Sequence, residues 1–227
     1  MTLTELHFHT SESSPCGKVP AKKGLTMYQK AGYGAVVVTD HFSRSVYGKK
    51  DYRDWAMVVN QFLAGYEEAK QTGQKLGVSV YLGMELRFPH DENDFLIYGL
   101  DKEYLLARPW IYEQELNQVY EDLQKHGMVI FQAHPFREKC SRANPSHLNG
   151  IEIINGNPRH NSRNDLASSW AREHNLVGIC GSDFHQVEDL NGNGVSLNSL
   201  PESERELAQR LKIGEFTIHV KRKGEGT

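Results

Sequence analysis

Ala35-Val36-Val37-Val38-Thr39-Asp40-His41 is an apolar run that ends abruptly in an aspartate and a histidine. Such a run fits a strand covered on both faces, and the polar pair falls where that strand would end. The same grammar recurs outward in both directions. Leu3 to His7 leads into His9, Ser79 to Arg87 carries Glu85, Met128 to Gln132 precedes His134, and Val177 to Cys180 precedes Asp183 and His185. Phe95 to Leu100, Gly150 to Ile154 and Phe216 to Val220 are further strand candidates. Polar residues at the ends of nearly every strand favour an α/β barrel over an open parallel sheet, where they would gather at one switch point.

Amphipathic segments lie between these runs. Pro20 to Ala31 ends at Gly32, and Asp51 to Gln71 sets Trp55, Val58, Val59, Phe62, Leu63 and Tyr66 on one stripe before Gly73. That stripe reads as core. Glu113 to Lys125 ends in His126-Gly127, Asn164 to Glu173 ends in His174-Asn175, and Ser203 with Glu206 opens a last helix. With neither an internal repeat nor a low-complexity linker, a single domain over residues 1–227 is expected.

A net charge of -3 and a pI near 6.4 give no general basic footprint, so a nucleic-acid partner is not expected. Neither a bilayer-spanning apolar run nor a secretory signal is present, which points to the cytoplasm and away from a membrane. Cys16, Cys140 and Cys180 are an odd number at unrelated spacings, which argues against a disulfide framework.

His7 and His9, like Asp183 and His185, are two apart on extended segments, so each pair offers two side chains to one face. Glu85, His134 and Asp40-His41 complete five islands in phase with strands. Imidazole and carboxylate together suit zinc, manganese or iron, and so many at one barrel mouth can hold more than one ion.

In order and spacing the chain resembles the polymerase-and-histidinol-phosphatase (PHP) family of phosphoesterases. The resemblance rests on Leu6-His7-Phe8-His9-Thr10, Val38-Thr39-Asp40-His41, Gly83-Met84-Glu85, Ala133-His134-Pro135, Ile151-Glu152-Ile153-Ile154-Asn155-Gly156 and Gly181-Ser182-Asp183-Phe184-His185. It implies a distorted seven-stranded (β/α) barrel with two or three divalent ions at the C-terminal ends of its strands. Carried over, His7, His9, Glu85 and Asp183 hold one ion, Glu85 bridges to a second held by His134, and His41 and His185 hold a third. His134, Asp183 and His185 are then also the expected catalytic residues. Where many relatives place another histidine, this chain has Asp94, an acceptable hard ligand for the second ion. Relatives supply a histidine or aspartate five or six residues after the HxH pair, where Ser14 and Pro15 stand here. Glu12 and Cys16 are the nearby substitutes, the first favouring a harder ion and the second zinc.

Three divalent ions carry roughly +6 and Glu85, Asp94 and Asp183 about -3, leaving a site of roughly +3 that wants an anion. The expected reaction is hydrolysis of a small phosphate monoester, a sugar, amino-alcohol or nucleotide phosphate, by attack of a metal-bound hydroxide. A phosphodiesterase or exonuclease on nucleic-acid ends, a metal-stabilised module without turnover and an amidohydrolase are the alternatives. Arg137 and Arg159, in loops after two strands, are the expected grips on phosphate oxygens. His147, His160 or a bound water is the expected general acid. Asp40 points away from the ligand face and is expected to orient a ligand or hold a loop, while Glu152 reads as a structural carboxylate. His126 and His174 read as helix caps, and His90 and His219 lie out of phase with the islands.

Overall fold

The computed structural model describes residues 1–48 and 54–221. In chain order the elements are β1 (Thr2–Phe8), α1 (Ala21–Lys30), β2 (Ala35–Val38), β3 (His41–Ser43), α2 (Arg44–Tyr47), α3 (Trp55–Leu76), β4 (Ser79–Arg87), β5 (Phe95–Tyr98) and α4 (Lys102–Leu106). They continue with α5 (Leu116–Lys125), β6 (Val129–Gln132), β7 (Gly150–Asn155), α6 (Asn164–Glu173), β8 (Val177–Gly181), β9 (Gly194–Leu197), α7 (Glu204–Ile213) and β10 (Thr217–His219).

Strands β1, β2, β4, β5, β6, β7 and β8 lie side by side in that order. The two ends of the row meet just past β8, where Phe184 N–H donates to the His7 carbonyl at 3.1 Å and the Phe184 carbonyl accepts from His9 N–H at 3.0 Å. The sheet is therefore a nearly closed seven-stranded barrel, as expected. Three strands are additions to that ring. β3 continues the line of β2 along β4, with His41 opposite Glu85, while β9 lies antiparallel between β1 and β10. Gly192 turns at φ 82°, and Gly194 opens β9.

A uniform succession of parallel strands is not what forms. β5 runs antiparallel to both β4 and β6. The reason is length: only residues 88–94 separate β4 from β5, whereas a parallel crossover needs a dozen or more. This reversal brings Asp94, at the start of β5, to the same mouth as the C-terminal ends of its neighbours.

Inside the barrel Leu6, Tyr98, Phe131 and Ile179 pack with Leu207, Ala208 and Leu211 of α7. Gly99, just past β5, sits so close to α7 that a Cβ there would stand 2.8 Å from Ala208 Cβ. α7 thus plugs the end opposite Asp94 and leaves the other mouth for chemistry. Outside, Phe62 of α3 and Val119 and Leu123 of α5 pack with Met84, Ile97 and Ile130, while α1 and α3 cover Phe8, Val36 and Val38. Each such side chain fully withdrawn from water contributes roughly 1.5–3 kcal/mol.

α3 differs from expectation at both ends. Residues 51–53, where its start was expected, lie outside the described residues, and the helix is capped by the Asp54 carboxylate, which accepts from Ala56 N–H at 2.9 Å. It also runs through Gly73 to a left-handed Gly77. Gly73 is a close-approach residue instead of a stop, since a Cβ would meet the Val78 carbonyl oxygen at 2.5 Å. No helix among the described residues is long and apolar enough to cross a membrane.

Candidate metal centre

Glu85, on β4, stands at the middle of the open mouth. Its Oε1 lies 3.1 Å from His7 Nε2 and 3.3 Å from His134 Nε2, and its Oε2 lies 2.8 Å from His41 Nδ1 and 3.3 Å from His9 Nε2. Asp183 Oδ1 approaches the same two rings from β8, at 3.4 Å from His7 Nε2 and 3.6 Å from His9 Nε2. His185 and His41 both stand against the His9 ring, their centroids 4.2 and 4.5 Å from it and 5.9 Å from each other. Asp94 Oδ2 comes within 3.8 Å of His134 Nε2. All eight residues expected to ligate metal therefore meet at one place.

The donor set fits divalent ions. His7 Nε2, His9 Nε2 and both carboxylate oxygens of Glu85 are buried and make no hydrogen bond. One buried polar atom left so costs about 1–3 kcal/mol, and two nitrogens facing two carboxylate oxygens are the lining a cation satisfies. Among the described residues, three sets have ligand atoms close enough to share an ion: His7 with His9 and Glu85; His9 with His41 and His185; and His41 with Glu85 and Asp94. Backbone strain marks the same spot. His134 and Asp183 hold positive φ, 30° and 54°, a conformation that costs about 1–3 kcal/mol and persists where the surroundings impose it.

A second layer fixes the rings. Glu152 Oε1 accepts from His7 Nδ1 at 3.0 Å, and its Oε2 accepts from the backbone N–H of His134 at 3.0 Å and from Asn155 Nδ2 at 2.9 Å. Expected only as a structural carboxylate, Glu152 in fact turns His7 so that Nε2 faces the mouth. Asp40 holds the loop after β1, accepting from Thr10 N–H and Thr10 Oγ1 at 2.7 Å and from Ser14 Oγ at 2.6 Å. Ser14 Oγ lies 3.3 Å from His9 Nδ1 and so passes that restraint to a second ring. His185 Nδ1 donates to the carbonyl of Asp183 at 2.9 Å, which leaves its Nε2 for the mouth.

Burial opposes charge throughout this cluster, but the charged partners outweigh it. His41, His7 and His134 hold the Glu85 carboxyl well below the usual range despite burial, and His7, His9 and Arg137 do the same for Asp183. Conversely, burial is overcome at His7 by Glu152, Glu85 and Asp183, which push its pKa well above the ordinary value.

The PHP domain family matches residues 5–210 of this chain. The chain belongs to the PHP domain family. Similar folds include a two-domain Bacteroides vulgatus protein described as containing a predicted PHP-like metal-dependent phosphoesterase, with a TM-score of 0.70 at 17% identity, covering 96% of this chain and 64% of that one. PsfC of Pseudomonas syringae has a TM-score of 0.65 at 16% identity over 98% of this chain and 92% of its own. An amidohydrolase of Chromobacterium violaceum, solved with bound sulfate and no metal, has a TM-score of 0.56 at 15% identity over 99% and 100%. This chain thus spans under two thirds of the Bacteroides protein, and the likeness to all three is one of fold. No curated protein matches by sequence.

Within this PHP domain several expected residues take particular places. Arg87 grips Asp94 in a fork, Nε to Oδ1 at 2.7 Å and a terminal nitrogen to Oδ2 at 2.5 Å, so Asp94 reaches the mouth with its charge already shared. Arg137 reaches the mouth directly, donating to Asp183 Oδ2 at 2.6 Å and Asn155 Oδ1 at 3.0 Å. Arg159 does not: its fork closes on Asp189 at 2.9 and 2.8 Å, and Asp189 in turn accepts from His185 N–H. His147 packs against Tyr120 of α5 on the outer side of the sheet, away from the mouth. His160 is exposed at the rim, where burial and Arg137 lower its pKa.

The two substitutes for the missing ligand separate cleanly. Both oxygens of Glu12 accept from Ala21 N–H at 3.0 Å, which ties this carboxylate to the first turn of α1, a partner that nothing in the neighbouring sequence announces. Cys16 faces His185 and His41, whose hydrogen bonds overcome burial and bring its thiol pKa down to about 5. His126 caps α5 as expected, with Nδ1 donating to the Asp122 carbonyl at 2.8 Å.

Proposed function

We propose that this PHP domain is a metal-dependent hydrolase of small phosphate monoesters, of the class of sugar, amino-alcohol or nucleotide phosphates. The observation that carries the reading is the set of four buried atoms of His7, His9 and Glu85 that face one another across the mouth without a hydrogen bond, with the guanidinium of Arg137 beside them. When bound, two or three divalent ions, zinc, manganese or iron, would polarise a phosphoryl group and acidify an attacking water. His7, His9, Glu85 and Asp183 would hold one ion, Glu85, His134 and Asp94 a second, and His41 and His185 a third.

The chain's own groups then divide the remaining work. Arg137 presents donors on the side of Asp183 and orients the phosphate by charge-assisted hydrogen bonds. Glu152 and Asn155 keep His7, His134 and Asp183 at fixed spacing, which limits the reorganisation needed during reaction. His160, exposed at the rim with its pKa lowered by burial and Arg137, is the side chain offered for proton exchange with the leaving group. Arg159, expected as a second phosphate grip, supports the mouth through its fork to Asp189, which holds the His185 backbone.

The test is a panel of phosphate monoesters, a phosphodiester, single-stranded DNA ends and simple amides, offered to chelated protein with each metal restored. Metal-dependent turnover of monoesters, lost in both His134→Ala and Asp183→Asn with the fold intact, is expected. Preference for DNA ends, preference for amides, or equal turnover in both variants would overturn it.

A further inference from the structure

β1 does not run straight into the mouth. Between Glu5, opposite Val36, and Phe8, opposite Val38, it carries one residue more than β2, a β-bulge of the kind that re-aims side chains beside active sites. Three backbone groups of the bulge are met by side chains. Tyr98 donates its hydroxyl to the Leu6 carbonyl at 3.0 Å, Glu5 Oε1 accepts from His7 N–H at 2.8 Å, and Thr39 Oγ1 accepts from Phe8 N–H at 2.9 Å.

The same oxygen of Glu5 also reaches across the seam where the barrel closes, accepting from Ser182 N–H at 2.9 Å. The seam is tight here, since a Cβ at Gly181 would stand 2.5 Å from His7 Cβ. One atom therefore fixes the backbone of His7 against the residue just before Asp183, and the functional ends of those two side chains stand 3.4 Å apart. Glu5 is sealed from water, and its second oxygen makes no hydrogen bond. That oxygen costs about 1–3 kcal/mol where it stands, and such breaches of local rule gather at functional sites.

We propose that Glu5 is a positioning residue for the inner ion, the one assigned to His7, His9, Glu85 and Asp183: by holding His7 N–H and Ser182 N–H on one oxygen it sets the spacing of His7 and Asp183. The inference rests on the reading of the mouth as a metal centre. Glu5 touches neither the ion nor the substrate. His7 is then held at two points, its ring at Nδ1 by Glu152 and its backbone by Glu5, and Asp183 follows the backbone of its neighbour Ser182. What the arrangement needs at this place is an acceptor oxygen. A side chain that offers one keeps the two ligands in register, and an apolar side chain of similar size leaves two buried N–H groups without a partner and the ligands free to drift apart.

Cobalt is the probe. Titrated into chelated full-length protein against a chromogenic chelator, it should bind roughly 10–100-fold more weakly to Glu5→Leu than to the native chain. The visible absorption spectrum of the bound cobalt should change as well, because its ligands have moved. Glu5→Gln keeps an oxygen for both N–H groups and should restore the native affinity and spectrum. A residue that served the fold alone would lower the melting temperature of chelated protein and leave the spectrum of the bound ion native. If circular dichroism shows Glu5→Leu unfolded, Glu5→Asp, whose carboxylate is one methylene short of the two N–H groups, takes its place with the same two readings. Native affinity and spectrum in the folded variant overturn the proposal. So does a Glu5→Gln protein as weak as that variant, since charge and not the tether would then be the cause. Either result leaves the ligand set standing. A native chain that takes up no cobalt overturns the metal-centre reading and this inference with it.

Discussion

Glu152 holds His7 by its Nδ1 at 3.0 Å while its second oxygen holds the backbone of His134, so one carboxylate from β7 sets the positions of two rings from β1 and β6. A ligand ring fixed in this way loses little freedom on binding metal and is made more basic. Glu152→Gln keeps the shape and removes the charge. Its affinity for the inner ion should fall roughly 10–100-fold, measured by competition with a chromogenic chelator, and an affinity equal to that of the native protein would show that His7 needs no such support.

Arg137 meets Asp183 at 2.6 Å from a side chain that is mostly covered, and its Nε is buried without a partner. A charge-assisted hydrogen bond to phosphate is worth about 1.5–3 kcal/mol. Arg137→Gln should therefore lower kcat/KM for a monoester roughly 10–100-fold, chiefly through KM. Steady-state kinetics decide this, since an effect confined to kcat with KM unmoved would assign Arg137 to placing Asp183 instead.

Much of the site was legible because most strands of the barrel end in chemistry: His9 after β1, His41 after β2, His134 after β6 and Asp183 after β8 each follow an apolar run. Strand direction was not legible in Phe95–Tyr98, because an all-buried run has no period that distinguishes parallel from antiparallel neighbours; the shortness of residues 88–94 was the available signal. Pairing between side chains distant in sequence was also hidden. Nothing near Arg159 says that Asp189 will take its fork, nothing near Glu152 announces His7, and Ser14 gains its meaning only once Asp40 is folded against it.

Gly65 of α3 packs directly on the loop after β1, where a Cβ would stand 2.0 Å from Thr10 Oγ1 and 2.7 Å from Asp40 Oδ2. The Thr10, Asp40 and Ser14 hydrogen bonds would have to shift. Gly65→Ala should cost about 1–3 kcal/mol of stability by overpacking and weaken metal binding as well. Thermal melts with and without metal measure both, and an unchanged melting temperature would mean that α3 can retreat freely.

pH gives a separate handle. Burial opposes the imidazolium of His134, yet bonds to Cys140 and Glu85 raise its pKa from 6.5 to about 10. In metal-free protein this raised group contributes stability that is full below about 6.5 and is lost as pH rises toward about 10. Glu85 and Asp183, depressed below their ordinary 4.5 and 3.8, contribute above those values and lose that contribution as pH falls. Chelated protein should accordingly melt lower at pH 9.5 than at pH 6.5. Ions bind the deprotonated rings, so metal uptake at pH 7 should release protons and the stabilisation by metal should widen with rising pH. Calorimetry in buffers of different ionisation enthalpy reads the release, and zero protons would contradict the assignment.

The most direct measurement is the return of phosphate release when divalent ions are titrated into chelated protein, native and Asp183→Asn side by side. Monoester hydrolysis should be absent after chelation, return in the native protein as two or three ions bind per chain, and stay absent in Asp183→Asn. Hydrolysis that survives complete removal of metal, or a fully loaded native protein that releases no phosphate from any monoester, would contradict the account.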